Sequence, residues 1–327
     1  MAAIKTPVQG DLHRDRHPRN DGFVRDDDGP GEPPELILLG NTQWLTSRLL
    51  CTRRFHVMSD QRSSTVTLDD VADAARTAWN RLRDELRAIL GDDLVAMWAH
   101  GGTIAAGRQP RSADLDTYVI VNRRPDEATA QRIEAAHDAI AQKQGVAWDV
   151  WYVLADDARR PDAPRHAYRE GRRDTSWAIN RAHWLAGRYV HLFGREPAEI
   201  VPAPTRPELD VDLRRELEHM ERHIVEGDTD PYEATYAILN GSRILHSIET
   251  EDAAISKREA GAWALEHLPA RWHAALRAAT RAYSGQATSE DIALLATEMA
   301  PFVAMVREWL PALDEPAAKG LPRWSGY

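Results

Sequence analysis

The segment Val201-Pro-Ala-Pro-Thr-Arg-Pro207 divides this chain into two stretches with different hydrophobic periods. Its prolines lack amide donors and fix φ, so neither a continuous helix nor an interior strand runs through it. Beyond it, every apolar pattern repeats at helical spacing. Helices are expected near Asp210 to Val225, Pro231 to Glu249, Ser256 to Leu268, Ala270 to Tyr283 and Ser289 to Leu310. Such a set buries its apolar stripes as a helical bundle.

The stretch before the prolines mixes two periods. Leu68, Val71, Ala75, Ala78, Leu82, Leu86 and Ile89 recur at helical spacing up to Leu90, with Thr67 placed as N-cap. Strands are expected over Leu94 to Ala99, Leu115 to Val121 and Val146 to Leu154, a Gly-containing turn over His100 to Ala113, and a helix from about Asp126 to Gln144. After the Pro- and Arg-rich connection Asp157 to Pro164, a helix is expected from about Asp174 to Leu192. No internal repeat is visible.

The chain of 327 residues is long enough for two domains, and its hydrophobic share of 43% is that of a globular protein. From Met1 to about Pro34 it is dense in Asp, Arg, Gly and Pro, which cannot bury enough surface to offset ordering entropy. Residues 1–57 are therefore expected to be a disordered or poorly ordered extension, 58–200 the mixed domain and 208–327 the helical bundle. Met58 opens a polar stretch that leads into the periodic helix, so translation is expected to begin there, and N-terminal mass spectrometry tests it.

Lys plus Arg number 41 against 51 Asp plus Glu, a formal charge of −10. That sign repels phosphate backbones and favours cationic partners, which argues against nucleic acid as the primary ligand. Cys51 stands alone, so no internal disulfide forms, and no long apolar run or leader suggests a membrane or export. The expected address is the cytoplasm.

In Asp114-Leu-Asp116-Thr-Tyr-Val-Ile-Val121, two-residue alternation puts Asp114 and Asp116 on one face and Leu115, Thr117, Val119 and Val121 on the other. Adjacent carboxylates repel. Divalent cations relieve the repulsion, because hard Mg2+ takes one or two carboxylates and completes its shell with phosphate oxygens and water; the bland reading is two solvated acids opening a strand. Gly102-Thr103 supplies a tight turn and a hydroxyl suited to phosphate oxygens. Asp149 interrupts an otherwise apolar strand, where an acid calls for a metal or a cationic partner, the alternative being a salt bridge to Arg159 or Arg160.

A Gly-hydroxyl turn, an Asp-x-Asp strand and a third acid on a neighbouring strand resemble the nucleotidyltransferase superfamily of the polymerase β type. The motif runs from Gly102-Thr103 through Gly107 and Ser112 to Asp114-Leu-Asp116. The family usually carries Ser at the place of Thr103. The second half narrows the resemblance: Gly241-Ser-Arg243-Ile-Leu-His246 and Ile255-Ser-Lys257 through Gly261, Trp263 and Leu265 to Pro269 are similar to the C-terminal domain of the aminoglycoside 3″ and 9 adenylyltransferases. Together the motifs span about Leu68 to Leu310.

This resemblance implies an α+β fold, a polymerase β-like domain with a small mixed sheet followed by an all-α bundle. It implies an enzyme that moves AMP from ATP to a hydroxyl of a small cationic, aminoglycoside-like acceptor and releases pyrophosphate; a monomer is the expected state. By it, Asp114 and Asp116 hold two Mg2+, Asp149 completes one metal site and draws the acceptor proton, and Gly102 and Thr103 grip phosphate. Arg243 and Lys257 reach the triphosphate from the helical domain, as a guanidinium fork and an ammonium can. Asp149 stands where the family usually has Glu, one methylene longer. Glu233 falls where the family places an acid against the cationic drug; it also reads as a first-turn acid on the helix dipole. Tyr168 and Trp177 are candidates for an aromatic acceptor contact or for core. Two rival readings keep part of this pattern: a protein hydroxyl as acceptor, or a noncatalytic sensor of a cationic metabolite.

Overall fold

Among the described residues, three of the four strands and most of the helices around them follow the two periods of the sequence. The computed structural model describes residues 66–101, 114–227 and 230–310. The extension 1–57, Cys51, the start at Met58 and the turn residues Gly102 and Thr103 lie outside the described residues.

Helix α1 (Asp73–Leu90) buries Ala75, Ala78, Trp79, Leu82 and Leu86 on one stripe. It begins later than the apolar spacing predicts. Thr67 and Asp70 close a capping box around a single 3-10 turn, Leu68–Asp70, and the chain extends at Val71 before α1 starts. Strands β1 (Leu94–His100), β2 (Asp114–Val121) and β3 (Ala147–Leu154) match the expected positions within a residue or so. Between β2 and β3 lies α2 (Glu127–Gln144), whose N-cap Asp126 accepts a hydrogen bond from the Thr129 amide at 2.8 Å. A short turn of helix, α3 (Ala155–Ala158), closes β3.

The expected helix from Asp174 to Leu192 is a helix followed by a strand. α4 (Trp177–Leu185) stops at Gly187, which adopts φ +77°, a conformation cheap for glycine and strained for other residues. The chain then extends into β4 (Val190–Gly194), where Val190 and Leu192 are buried between exposed or half-buried neighbours. The helical period through this region is overridden because β1 has a free edge, and Met97 and Trp98 pair with Phe193 and His191 across it.

The sheet order is β3-β2-β1-β4. β2 runs parallel to β3 across the α2 crossover, and β1 runs antiparallel to both β2 and β4. Both faces are covered. Leu115, Val119, Met97 and Tyr152 pack under α1 and α2, whereas Trp98, Tyr118, Ile120 and Val153 pack with Trp177 and Trp184 of α4. Thr117, on the first face, accepts a hydrogen bond from the Trp79 indole at 3.0 Å.

Beyond the prolines come α5 (Arg206–Val225), α6 (Pro231–Thr250), α7 (Lys257–His267), α8 (His273–Tyr283) and α9 (Ser289–Trp309). α6 is the central helix, burying Ala234, Ala237, Ile238, Gly241, Ile244 and Leu245. A Cβ on Gly241 would stand 2.9 Å from the Phe302 ring, so the missing side chain is what lets α9 close on α6. The two lobes interlock at α4. Arg181, with no exposed surface, pairs with Glu208 of α5 at 2.6 Å, and buried Asp212 of α5 accepts the Ala178 amide at 2.6 Å, capping α4 from the other lobe. Among the described residues no helix is long and apolar enough to cross a membrane.

Candidate active site

The register of the sheet collects the acids. In β2, Asp116 is the direct neighbour of His100 on β1 and of Asp149 on β3. Residues opposed across a ladder share a face, so all three side chains leave the sheet on the side of Tyr118 and Trp98. Asp116 is half-buried and Asp149 exposed at the sheet mouth. Asp149 therefore does not need the buried-charge argument that its apolar surroundings suggested. Arg159 and Arg160 turn to Asp156 and Asp157, at 2.8 and 3.4 Å. Asp114 opens β2 beside Ala147 of β3.

Gly101 ends β1 with φ +86°, and a Cβ placed on it would lie 1.7 Å from Oδ2 of Asp116. The backbone thus presses directly on the carboxylate, which no side chain at 101 would allow. The close approach expected of Gly102 lies outside the described residues; Gly101 beside it makes one of its own, and its only signal in the sequence is membership of a Gly-Gly pair.

Beneath the acids lies a polar layer that sequence reading missed. The Tyr118 hydroxyl donates to buried Asp174, and Asn180 Nδ2 donates to that hydroxyl oxygen at 2.8 Å. Burial raises the Asp174 carboxyl above the usual range, with Asp149 adding to the effect. His100 packs on Tyr118 with ring centroids 5.1 Å apart, and burial, helped by the charge of Arg243, lowers it to about 4. His100 is thereby neutral at neutral pH.

The helical lobe faces these acids with positive charge. Lys257, the first residue of α7, lies over the Tyr236 ring at 4.3 Å. Burial, then Arg243, pull it down to about 8, while Glu216, Asp116 and Glu233 oppose that shift. Asp116 and Lys257 therefore act on one another across the two lobes. Arg243 is not a solvated cation: Nε donates to the Ile255 carbonyl at 3.0 Å, Nη1 to Asn240 at 3.2 Å and Nη2 to His183 Nε2 at 2.8 Å. A nitrogen that accepts from a guanidinium must be unprotonated, and burial, then Arg243, hold His183 well below its ordinary range.

Glu233, in the first turn of α6, is 3.9 Å from His223 Nδ1 on α5 and also lies within the field of Lys257. Glu216, one helix away, shares a hydrogen bond with Tyr236, yet its Oε1 is buried with no hydrogen-bond partner among the described residues. It was missed because an acid on an amphipathic helix reads as solvated. The aromatic candidates are core. Trp177 is 1% exposed and its indole donates to the Arg160 carbonyl, while Tyr168 packs on Tyr152 and donates to Glu134 at 2.9 Å.

The fold is that of a solved relative. The structure of spectinomycin adenyltransferase AAD(9) from Enterococcus faecialis with ATP and spectinomycin superposes with a TM-score of 0.54 at 17% identity, covering 70% of this chain and 98% of that one. A small mixed sheet that gathers carboxylates at its mouth, followed by a helical lobe, is the architecture that the two chains share. Within the helical lobe, residues 211–308 match the family model of the aminoglycoside adenylyltransferase C-terminal domain, the stretch that holds the motifs around Arg243 and Lys257. No curated protein sequence matches the chain.

Proposed function

We propose that this chain transfers AMP from ATP to a hydroxyl of a cationic, aminoglycoside-like acceptor and releases pyrophosphate, acting as a cytoplasmic monomer whose domains, 58–200 and 208–327, hold the substrates between them. The observation that carries this reading is the ladder pairing of Asp116 with Asp149, with Gly101 pressed against Asp116 and Lys257 within its field.

The donor set suits magnesium, since neighbouring strands offer carboxylate oxygens at a partly open mouth. Asp114, Asp116 and Asp149 would hold it; when bound, it neutralises phosphate charge and orients the triphosphate. The exposed Asp149 carboxylate is placed to take the proton of the acceptor hydroxyl. The acceptor oxygen bonds to the α-phosphorus as the bond to the pyrophosphate oxygen breaks in line, with no covalent enzyme intermediate. Lys257 and Arg243 supply positive charge towards the leaving pyrophosphate, and the fixed guanidinium geometry costs little reorganisation. Gly102 and Thr103, outside the described residues, are assigned to the phosphates by the motif they belong to. Glu233 and the half-satisfied Glu216 attract the acceptor cation, in keeping with the spectinomycin named for the solved relative.

The test incubates purified protein with labelled ATP, Mg2+ and a panel of aminoglycosides and spectinomycin. Label should move to at least one drug with stoichiometric pyrophosphate, and Asp116→Asn should lose several orders of magnitude in turnover while keeping its circular dichroism. Pyrophosphate without drug labelling leaves the reaction class but refutes the acceptor. Full activity in the variant refutes the site.

A further inference from the structure

Away from the acids, α5 and α6 bring together three side chains of a different ligand chemistry. His219 and His223 are one helical turn apart on α5, so both rings leave the same face, with centroids 4.5 Å apart. Glu233 enters from the first turn of α6, and one donor atom from each of the three lies within 4.8 Å of the others. All three are half-buried, which limits competition from water while leaving a route for an ion.

We infer that His219, His223 and Glu233 form a binding site for one borderline divalent transition-metal ion of the zinc class. Two imidazole nitrogens and one carboxylate oxygen make a donor set that zinc accepts at about 2.0–2.2 Å, with a fourth position left to water. Tetrahedral donors stand roughly 3.3 Å apart at such bond lengths, so rotamer shifts of about an ångström close the present spacing. Imidazole donors select against magnesium, whereas the neighbouring carboxylates of Asp116 and Asp149 suit it. The molecule therefore carries two cation environments that sort different ions. The ion would bridge α5 to α6 and bind the folded state in preference to the unfolded chain, raising stability. Glu233 is shared with the proposed acceptor site, so a seated ion would also withdraw that carboxylate from a cationic acceptor.

The test uses the full chain stripped by chelator, dialysed against Zn2+ or Co2+ with Mg2+ in excess and no nucleotide. Wild type should bind one equivalent more than His219→Ala/His223→Ala, show the visible absorption of low-coordinate Co2+, and melt several degrees higher with Zn2+. Asp116→Asn should keep that equivalent, separating this site from the acid face. Should the double variant fail to fold, Glu233→Gln, checked by circular dichroism, should bind the ion at least about tenfold more weakly. Equal binding by wild type and the histidine variant, undiminished affinity in Glu233→Gln, or no equivalent bound at all would overturn the site. The assay contains no nucleotide or drug, so its outcome is independent of whether the chain transfers AMP.

Discussion

The acid face of the sheet and the cationic side of the helical lobe carry opposite charge, and they are built in opposite ways. Asp116 and Asp149 are neighbours because backbone ladders fix the register of β2 and β3. Arg243 and Lys257 are held by side-chain contacts, to His183, Asn240 and the Ile255 carbonyl in one case and to the Tyr236 ring in the other. A strand register moves only by whole residues, so the acids are clustered whether or not an ion is bound. The cations depend on neutral, buried partners, and their placement is open to tuning by single substitutions.

The sharpest way to break this contrast is Asp149→Asn. It leaves every ladder hydrogen bond in place, so thermal melting should change little, while the proposed roles of proton acceptor and metal ligand predict a fall in kcat of about a thousandfold or more. Gly101→Ala comes next. Its Cβ would meet Asp116 Oδ2 at 1.7 Å at a residue with φ +86°, so it should cost about 1–3 kcal/mol in denaturant melts and, by displacing the carboxylate, lower kcat about a hundredfold.

On the helical side the effects should be smaller. Lys257→Met keeps the stem over Tyr236 and removes the charge; kcat/KM for ATP should drop by roughly ten- to a hundredfold, with melting unchanged or slightly improved because a buried charge is gone. His183→Gln should act through Arg243, shifting the KM for ATP more than kcat. An unchanged KM for ATP would show that Arg243 needs no such support.

The smallest effect concerns the joint between the lobes. Burial raises the Asp212 carboxyl to about 7, against the pull of the Ala178 amide. The folded state then holds its proton more tightly than the unfolded chain, so this residue's stabilising contribution is complete below the ordinary carboxylate range near 4. It is lost as the pH rises through about 7. Asp212→Asn, which mimics the protonated form, should flatten the stability profile over that window, as read from melts at successive pH values.

Much of this molecule is written locally. The proline segment, the helical stripes and the strands around Trp98, Tyr118 and Tyr152 all follow from hydrogen-bond periods that close within a few residues. That Asp149 stands on a strand beside Asp116 was also legible, although the reason that singled it out was burial and the carboxylate stands exposed. β4 was not legible, since nine residues of helical spacing precede a Gly turn and only the free edge of β1 makes the following segment a strand. Nor were His183 under Arg243, Glu216 beside Lys257, or Gly101 against Asp116.

Sequence periods thus determined which elements form and which of their faces are apolar, because those energies are summed over neighbours along the chain. Tertiary structure decided which charges meet. His183 and Arg243, or Asp116 and Lys257, are brought together by packing of elements distant in sequence, and the burial that makes His183 neutral and lowers Lys257 exists only once both lobes have closed around them.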